Sequence, residues 1–255
     1  MRPLITALDV DAMEWKALGP PGLHSKLLSR DQETGARTAL QRMVPSEGYV
    51  APKVAHYHHT YEELLGVYGR FTFDGTRWVV PQAYLFHPPL TVHGFQSNVP
   101  EESWFLSRVG RDLDVNLVPE PTGNDIYPID GVAPPRAAAA MGDPPAERGW
   151  TPYTWGTAAT PVSWCALSVD PASGEGTAFL RVPKDWSTTL PVQVNDTYLE
   201  LFVLDGALEI DGVAYGRHFY GFFPPGRAPK KLASVAGGTA YVNFGGPTGI
   251  TAATH

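Results

Sequence analysis

Histidine and glutamate are concentrated in one short part of this chain. Residues 56–63 read His-Tyr-His-His-Thr-Tyr-Glu-Glu, and a further histidine stands at position 93. On an extended strand the side chains alternate between two faces, so His56 and His58 project from the same face. Two imidazoles, a nearby carboxylate and a histidine from a neighbouring strand make a mixed nitrogen and oxygen ligand set. This pattern predicts a site for one divalent transition metal.

The second half of the chain repeats landmarks of the first half. Residues 28–35 read LSRDQETG and residues 167–174 read LSVDPASG, while the Pro-Pro pair at 88–89 returns at 224–225. Self-similarity of this kind is the signature of two copies of one structural unit. We therefore expect the chain to contain two related units.

The second copy provides an internal control for the histidines. Where the first copy has its two strand histidines, its carboxylate and its later histidine, the second copy has Gln193, Asn195, Leu199 and Pro229. Leucine and proline cannot ligate a metal, and amides are poor ligands. Because the second copy keeps its turn signals without the histidines, the first copy retains them for a chemical reason rather than for folding.

The residues around the histidines resemble the cupin signature. The pattern His56-x-His58-x3-Glu62-x6-Gly69 fits the first cupin motif, and residues 88–93 are similar to the second motif. The resemblance covers most of the chain through the repeat. It implies an all-β fold made of two cupin double-stranded β-helix (jelly-roll) barrels in one chain, with a metal at the mouth of the first barrel.

The same resemblance implies a ligand set, which consists of His56, His58, Glu62 and His93. Spacing to the closing glycine of the motif selects Glu62, whereas the variant of the motif with one more intervening residue selects Glu63. Strand alternation lets only one of the two point inward, and we favour Glu62. Leu90 stands where the family has glycine, and Ser97 stands where it has asparagine. These departures weaken a turn and a polar contact but leave the fourth ligand in place.

The domain limits follow from changes in pattern along the chain. We expect an N-terminal metal-binding cupin barrel at 1–115 and a degenerate C-terminal barrel without metal ligands at 161–255. Residues 116–160 are rich in proline and alanine, lack strand alternation and read as the inter-barrel connection. The alanine run at 137–140 could form a short helix that ends at Gly142 and Pro144.

Composition excludes several classes of function. A formal net charge of −7 argues against a nucleic-acid or anionic-membrane partner, since both recruit basic patches. The single cysteine, Cys165, excludes an intrachain disulfide, and its apolar surroundings predict a buried, inert thiol. No apolar run reaches the length of a membrane span. We expect a cytoplasmic protein with a small-molecule substrate, and we leave a homodimer open.

The resemblance implies a metal-dependent enzyme. The leading hypothesis is a non-haem Fe(II) oxygenase or dioxygenase that acts on a small organic molecule chelated to the metal. Zn, Mn, Ni or Co are the alternative metals, because ligand type alone does not select the ion. A non-redox isomerase, lyase or hydrolase is one alternative function, and a non-catalytic zinc-binding sensor of the ChrR cupin type is another.

Further site residues are predicted around the ligand set. Glu63 and His59 are the candidates for catalytic proton transfer, because they neighbour the ligands without being chosen as ligands. The expected substrate pocket is rich in aromatic residues, and its candidate members are Gln41, Tyr68, Phe95, Trp104 and Arg108.

Overall fold

The computed structural model of the chain describes residues 1–119, 126–141 and 149–252. The chain forms two compact units. The N-terminal unit comprises residues 14–147, and the C-terminal unit comprises residues 1–13 together with 148–255. Both units are built from antiparallel sheets, so the predicted all-β class is confirmed. None of the described residues belongs to a helix with the length and hydropathy of a membrane span.

The described strands are numbered in chain order. Strands β1 to β12 are Ile5–Asp9, Lys16–Ala17, Leu23–Arg30, Arg37–Met43, His56–Tyr57, Glu62–Tyr68, Tyr84–His87, Thr91–Val92, Ser103–Val109, Asn116–Leu117, Tyr127–Pro128 and Ala139–Met141. Strands β13 to β23 are Thr151–Trp155, Val162–Val169, Gly176–Val182, Trp186–Thr189, Leu199–Gly206, Leu208–Ile210, Val213–Tyr215, Phe219–Phe223, Lys231–Ser234, Gly238–Phe244 and Ile250–Ala252. Short 3₁₀ turns occupy Pro45–Glu47 and Val192–Asp196.

The main sheet of the N-terminal unit has seven strands in the order β12-β7-β6-β9-β4-β3-β2. One face of this sheet carries the apolar core, which includes Met43, Leu64 and Phe105. Residues that pair directly on neighbouring strands point to the same face of the sheet. The pairing register therefore shows which residues of each strand face inward. Glu62 and Arg37 both pair with Val109, and the three therefore form one row of that inward face.

The main sheet of the C-terminal unit has eight strands in the order β1-β20-β17-β22-β15-β14-β13-β23. A second sheet of four strands has the order β16-β21-β18-β19. Aliphatic and aromatic side chains fill the interior, among them Trp155, Trp164, Leu180, Leu199 and Val242. Where the inward face of the first unit carries Glu62, this unit packs the apolar side chain of Leu199.

The limits of the two units differ from the limits that we predicted from sequence. Strand β1 comes from the predicted first barrel but pairs with β20 of the C-terminal unit. Strand β13 lies in the predicted connection but pairs with β14 and β23. The short helix expected for the alanine run is wrong, because Ala139–Met141 forms a strand that pairs with β7. The predicted end of that helix lies outside the described residues.

A buried carboxylate anchors the outward face of β6. Glu63 is fully buried and accepts hydrogen bonds from the Tyr84 hydroxyl (2.5 Å), from Arg108 (2.9 Å) and from Arg136 (2.8 Å). The guanidinium of Arg136 also lies 3.9 Å from the centre of the Phe86 ring. Two cations and a hydroxyl therefore compensate the cost of burying this charge.

The C-terminal unit contains the same arrangement at the repeat-related positions. Glu200 accepts hydrogen bonds from Arg2 (2.7 and 3.0 Å) and from the Tyr220 hydroxyl (2.8 Å). Arg2 lies 4.0 Å from the centre of the Phe222 ring. In each unit, an arginine from an outlying segment is thus held on the central sheet by a buried glutamate, a tyrosine and a phenylalanine.

We predict that Glu63→Gln destabilises the N-terminal unit by about 3–5 kcal/mol, because the change leaves two buried guanidinium groups without their carboxylate. Urea denaturation followed by tryptophan fluorescence measures the loss. Glu102→Gln is the matched control: Glu102 binds Arg42 at the surface at 2.7 Å, and its loss should cost less than about 1 kcal/mol. Equal stabilities of the two variants would contradict the assigned role of Glu63.

Candidate metal centre

Strand pairing brings three histidines to one place. The backbone amides of His56 and His93 each donate to the other's carbonyl at 2.9 Å, which fixes the two residues side by side. His58 follows two residues later and is buried. The ring centres of the three histidines lie between 4.6 and 5.1 Å apart.

Glu62 begins β6 and completes the cluster. Its Oε2 atom lies 3.1 Å from Nε2 of His93 and 3.9 Å from Nε2 of His58. The ligand atoms of His56, His58 and His93 all lie within 4.8 Å of one another. Donor atoms roughly 2.1 Å from one octahedral ion would lie about 3 to 4 Å apart. The spacing of the three histidines therefore fits a single divalent metal, while Glu62 forms a second group of the same kind with His87 and His93.

Backbone carbonyls fix the tautomer of each histidine. Nδ1 of His56 donates to the carbonyl of Val54 at 2.7 Å, and Nδ1 of His93 donates to that of Thr91 at 2.9 Å. A carbonyl only accepts, so Nδ1 must carry the proton and Nε2 is left with a lone pair. Bonds of this kind orient the ligands in known metal sites.

His58 is held in the same way by a distant residue. Its Nδ1 donates to the backbone carbonyl of Asp114 in a short hydrogen bond. The Nε2 atoms of His58 and His93 are buried and have no hydrogen-bond partner among the described residues. Buried, unpaired acceptors are costly, and a bound cation would satisfy both atoms.

His87 is a further member of the cluster, although it lies outside the sequence motif. It pairs with Glu62 across β6 and β7, and its ring stacks on that of His93 with centres 4.1 Å apart. Its Nδ1 atom is buried, is unpaired within the described chain, and lies 3.8 Å from Oε2 of Glu62. Comparison of the two sequence repeats could have identified His87, since the second copy has the apolar residue Phe223 at this position.

The electrostatics of the cluster favour the protonation states that metal binding needs. Burial, followed by the positive charge of neighbouring imidazoles, lowers the pKa of His56 and of His93. Burial by itself would raise the pKa of Glu62, but the imidazoles of His87 and His93 lower it well below its usual range. Neutral imidazoles beside an ionised carboxylate are the states in which these groups bind a divalent cation.

Gly94 makes room for the ring of His56. Its backbone has φ +86°, in the left-handed region. A Cβ atom at this position would lie 2.6 Å from Cε1 and 2.8 Å from Nδ1 of His56. Any side chain here would therefore displace the imidazole. Leu90, placed where the resemblance expects glycine, takes φ +65° and still donates its amide to the carbonyl of His58 at 2.7 Å.

The two candidates for proton transfer lie away from the cluster. Glu63 faces the opposite side of β6 from Glu62 and is held by the arginine network described above. His59 is 54% exposed and binds the carboxylate of Asp114 at 2.6 Å. Asp114, which our sequence analysis did not single out, thus holds His59 through its side chain and His58 through its backbone.

The predicted pocket residues divide between the two faces of the sheet. Phe95 borders a small cavity of about 20 Å³ beside His87 and His93. Gln41 lines a larger cavity of about 480 Å³ on the inward face of β3 and β4. Tyr68, Trp104 and Arg108 face the other side: Tyr68 is 54% exposed and packs on Trp104, while Arg108 binds Glu63.

Comparison with known proteins supports a cupin fold. Residues 5–109 match the family profile described as ChrR Cupin-like domain. A proposed dioxygenase of Nostoc punctiforme PCC 73102 has a similar structure, with a TM-score of 0.66, 13% identity, and coverage of 100% of this chain and 87% of that chain. No curated protein sequence matches the chain.

Two further solved structures share the fold. Oxalate decarboxylase of Bacillus subtilis has a TM-score of 0.52 at 12% identity and covers 96% of this chain and 78% of its own. Salicylate 1,2-dioxygenase of Pseudoaminobacter salicylatoxidans has a TM-score of 0.53 at 12% identity, and the match covers 82% of this chain and 70% of the dioxygenase chain. At such low identity, these similarities establish the architecture of two jelly-roll barrels and leave the reaction open.

We predict that the protein binds about one equivalent of divalent transition metal per chain, because only one repeat carries the donor set. His58→Ala should abolish tight binding, whereas Asn195→Ala, the repeat-related change, should leave the metal content unaltered. Elemental analysis of the purified variants measures both. Two equivalents per chain, or full occupancy in His58→Ala, would contradict the site.

Gly94→Ala should lower metal affinity about 10- to 100-fold, since the new Cβ pushes His56 out of position. Gly226→Ala is the matched control, because Gly226 has φ +78° and open space around its Cβ position. Both variants carry a similar backbone strain of about 1 kcal/mol. Competition with a chromophoric chelator measures the affinities, and equal losses in both variants would rule out a steric effect on His56.

Proposed function

We propose that this chain, which belongs to the cupin superfamily, is a metal-dependent enzyme whose site lies in the N-terminal unit, and that it is a non-haem Fe(II) oxygenase. The observation that carries the proposal is the convergence of three oriented imidazoles and Glu62 in one repeat, while the other repeat has an apolar interior. The folds of a proposed dioxygenase and of salicylate 1,2-dioxygenase support it at the level of architecture.

The residues of the chain would hold the ion, while the ion would supply the chemistry that side chains lack. His56, His58, His93 and Glu62 would be the ligands. Bound iron would supply redox capacity toward O₂ together with a positive charge that attracts the oxygen atoms of a substrate. These four protein ligands would leave part of the coordination shell of the ion open to a substrate or to O₂.

The protein's own contribution is orientation and the exclusion of water. The carbonyls that bind Nδ1 of the histidines keep each Nε2 lone pair directed at the centre. Burial of His58, His87 and His93 places the cluster in a low-dielectric environment, where charge interactions are stronger than in water. Glu63 takes no part in proton transfer in this proposal, because its oxygens are committed to arginine and tyrosine partners.

The match to the ChrR Cupin-like profile favours a second candidate, a zinc-binding module without catalytic activity. The two functions differ in what the site must do. A sensor needs affinity and a conformational response, whereas an oxygenase needs coordination positions that a substrate can reach. Non-redox chemistry at the same ligands is the third outcome that experiment can distinguish.

We predict that Fe(II)-loaded protein consumes O₂ in step with product formation, and that Zn(II) inhibits by occupying the same ligands without redox capacity. An oxygen electrode and mass spectrometry, applied to a panel of diketones, phenols and hydroxy acids, measure both quantities. His58→Ala prepared in the same way is the control. Equal turnover without O₂ would show that the protein is a non-redox enzyme rather than an oxygenase. Tight zinc binding without any turnover would favour the sensor hypothesis.

A further inference from the structure

The cavity of about 480 Å³ on the inward face of β3 and β4 has the size of a small-molecule site. Its charged lining consists of Lys16, Arg30 and Arg37 against Asp112 alone. This excess of two positive charges occurs in a chain whose formal net charge is −7. A local field of that sign attracts anions.

The single carboxylate does not satisfy the basic groups of the cavity. One oxygen of Asp112 accepts from both Arg30 (3.0 Å) and Arg37 (3.3 Å), and Asp112 itself is 68% exposed. Burial and the charge of Arg30 lower the pKa of Arg37 despite the nearby Asp112 and Glu62. Two guanidinium groups that share one surface carboxylate retain donors for another acceptor.

Two buried polar atoms of the lining residues have no partner within the described parts of the chain. They are Nε of Arg30, a donor, and Oε1 of Gln41, an acceptor. Such atoms are costly to bury unless a ligand or water meets them. Both residues border the cavity, so a ligand with an acceptor at the Arg30 end and a donor at the Gln41 end would match the polar character of the lining. Leu18, Leu27 and Leu113 supply apolar surface for the ligand between these ends.

The cavity lies next to the candidate metal centre. Arg37 and Glu62 both pair with Val109, so their side chains project from the same face on strands about 10 Å apart. Asp112 and Leu113 line the cavity, and the next residue, Asp114, holds His58. The cavity therefore lies on the same sheet face as Glu62 and beside the segment that holds His58.

The repeat shows that this polarity is not required by the fold. Arg30 pairs with Arg37, and the repeat-related pair is Val169 with Gly176. Ser25 pairs with Gln41, and its counterpart is Trp164 with Leu180. Both strand pairs also contain the same register shift, so the correspondence is structural. The polar cavity residues thus occur only in the repeat that carries the metal ligands.

We infer that this cavity binds a small organic acid, with the carboxylate held by Arg30 and Arg37 and a hydroxyl or N–H group donated to Gln41. The identification of this acid as the substrate rests on the proposed function, but binding of the carboxylate needs only the arginine pair and no metal. Arg37 and Gln41 are four residues apart on one strand, about 13 Å, so the two polar ends of the ligand are separated by a short hydrocarbon segment.

Isothermal titration of the full chain with 6-hydroxyhexanoate, hexanoate and hexanamide tests the inference, with metal bound and after chelator treatment. We expect both acids to bind at least tenfold more tightly than the amide in either state. Arg30→Gln and Arg37→Gln should each weaken acid binding about tenfold, and Arg37→Lys should weaken it less. Gln41→Leu, the residue of the second copy, should remove the advantage of the hydroxy acid over hexanoate.

Arg42→Gln is the matched control, because Arg42 lies on the same strand but faces the other side and binds Glu102. It should leave acid binding unchanged. Circular dichroism confirms that each variant is folded. Equal binding of acid and amide, no binding of either acid, or equal effects of Arg37→Gln and Arg42→Gln would each overturn the inference. Acid binding in a protein that binds no metal would instead reject the proposed function alone.

Discussion

The alternation of side chains along β6 is the constraint on which the rest of the N-terminal unit depends. Glu62 and Glu63 are adjacent, so the strand sends one carboxylate to each face. Glu63 ties the outward face to arginine and tyrosine partners, and this fixes the register that turns Glu62 toward the imidazoles. A slip of one residue would exchange the two carboxylates and would also turn Leu64 away from the apolar core.

The two repeats divide structure and chemistry between them. Both keep the buried glutamate with its arginine and tyrosine, which shows that this network belongs to the fold. Only the first repeat places polar groups at positions where the second repeat has buried apolar residues: Glu62, His87 and His93 stand where the second repeat has Leu199, Phe223 and Pro229. Each replacement gives up hydrophobic burial, worth about 1.5–3 kcal/mol for a large side chain. Such a loss at several neighbouring positions points to selection for function.

The sequence predicted the all-β class, which the sheets confirm, and it singled out His56, His58, Glu62 and His93, whose role as metal ligands stays a prediction. Two of its pocket candidates, Gln41 and Phe95, border cavities. It missed His87 because that residue lies outside the motif, and its role depends on pairing with Glu62 across two strands. It placed Tyr68 and Trp104 in the pocket because aromatic content alone does not reveal which face a residue occupies. A register shift between Gly66 and Tyr68 adds to that difficulty, since it breaks simple alternation.

Strand β1 has a consequence for how the chain is made. Arg2 and Glu200 are joined by hydrogen bonds although they are 198 residues apart, and β1 pairs with β20 near the end of the sequence. Strand β1 must therefore wait until β20 has been synthesised before it finds its place in the sheet. Residues 14–147, by contrast, form one continuous unit. The unit with the histidine cluster can thus close before β20 is synthesised, whereas the sheet of the supporting unit can be completed only afterwards.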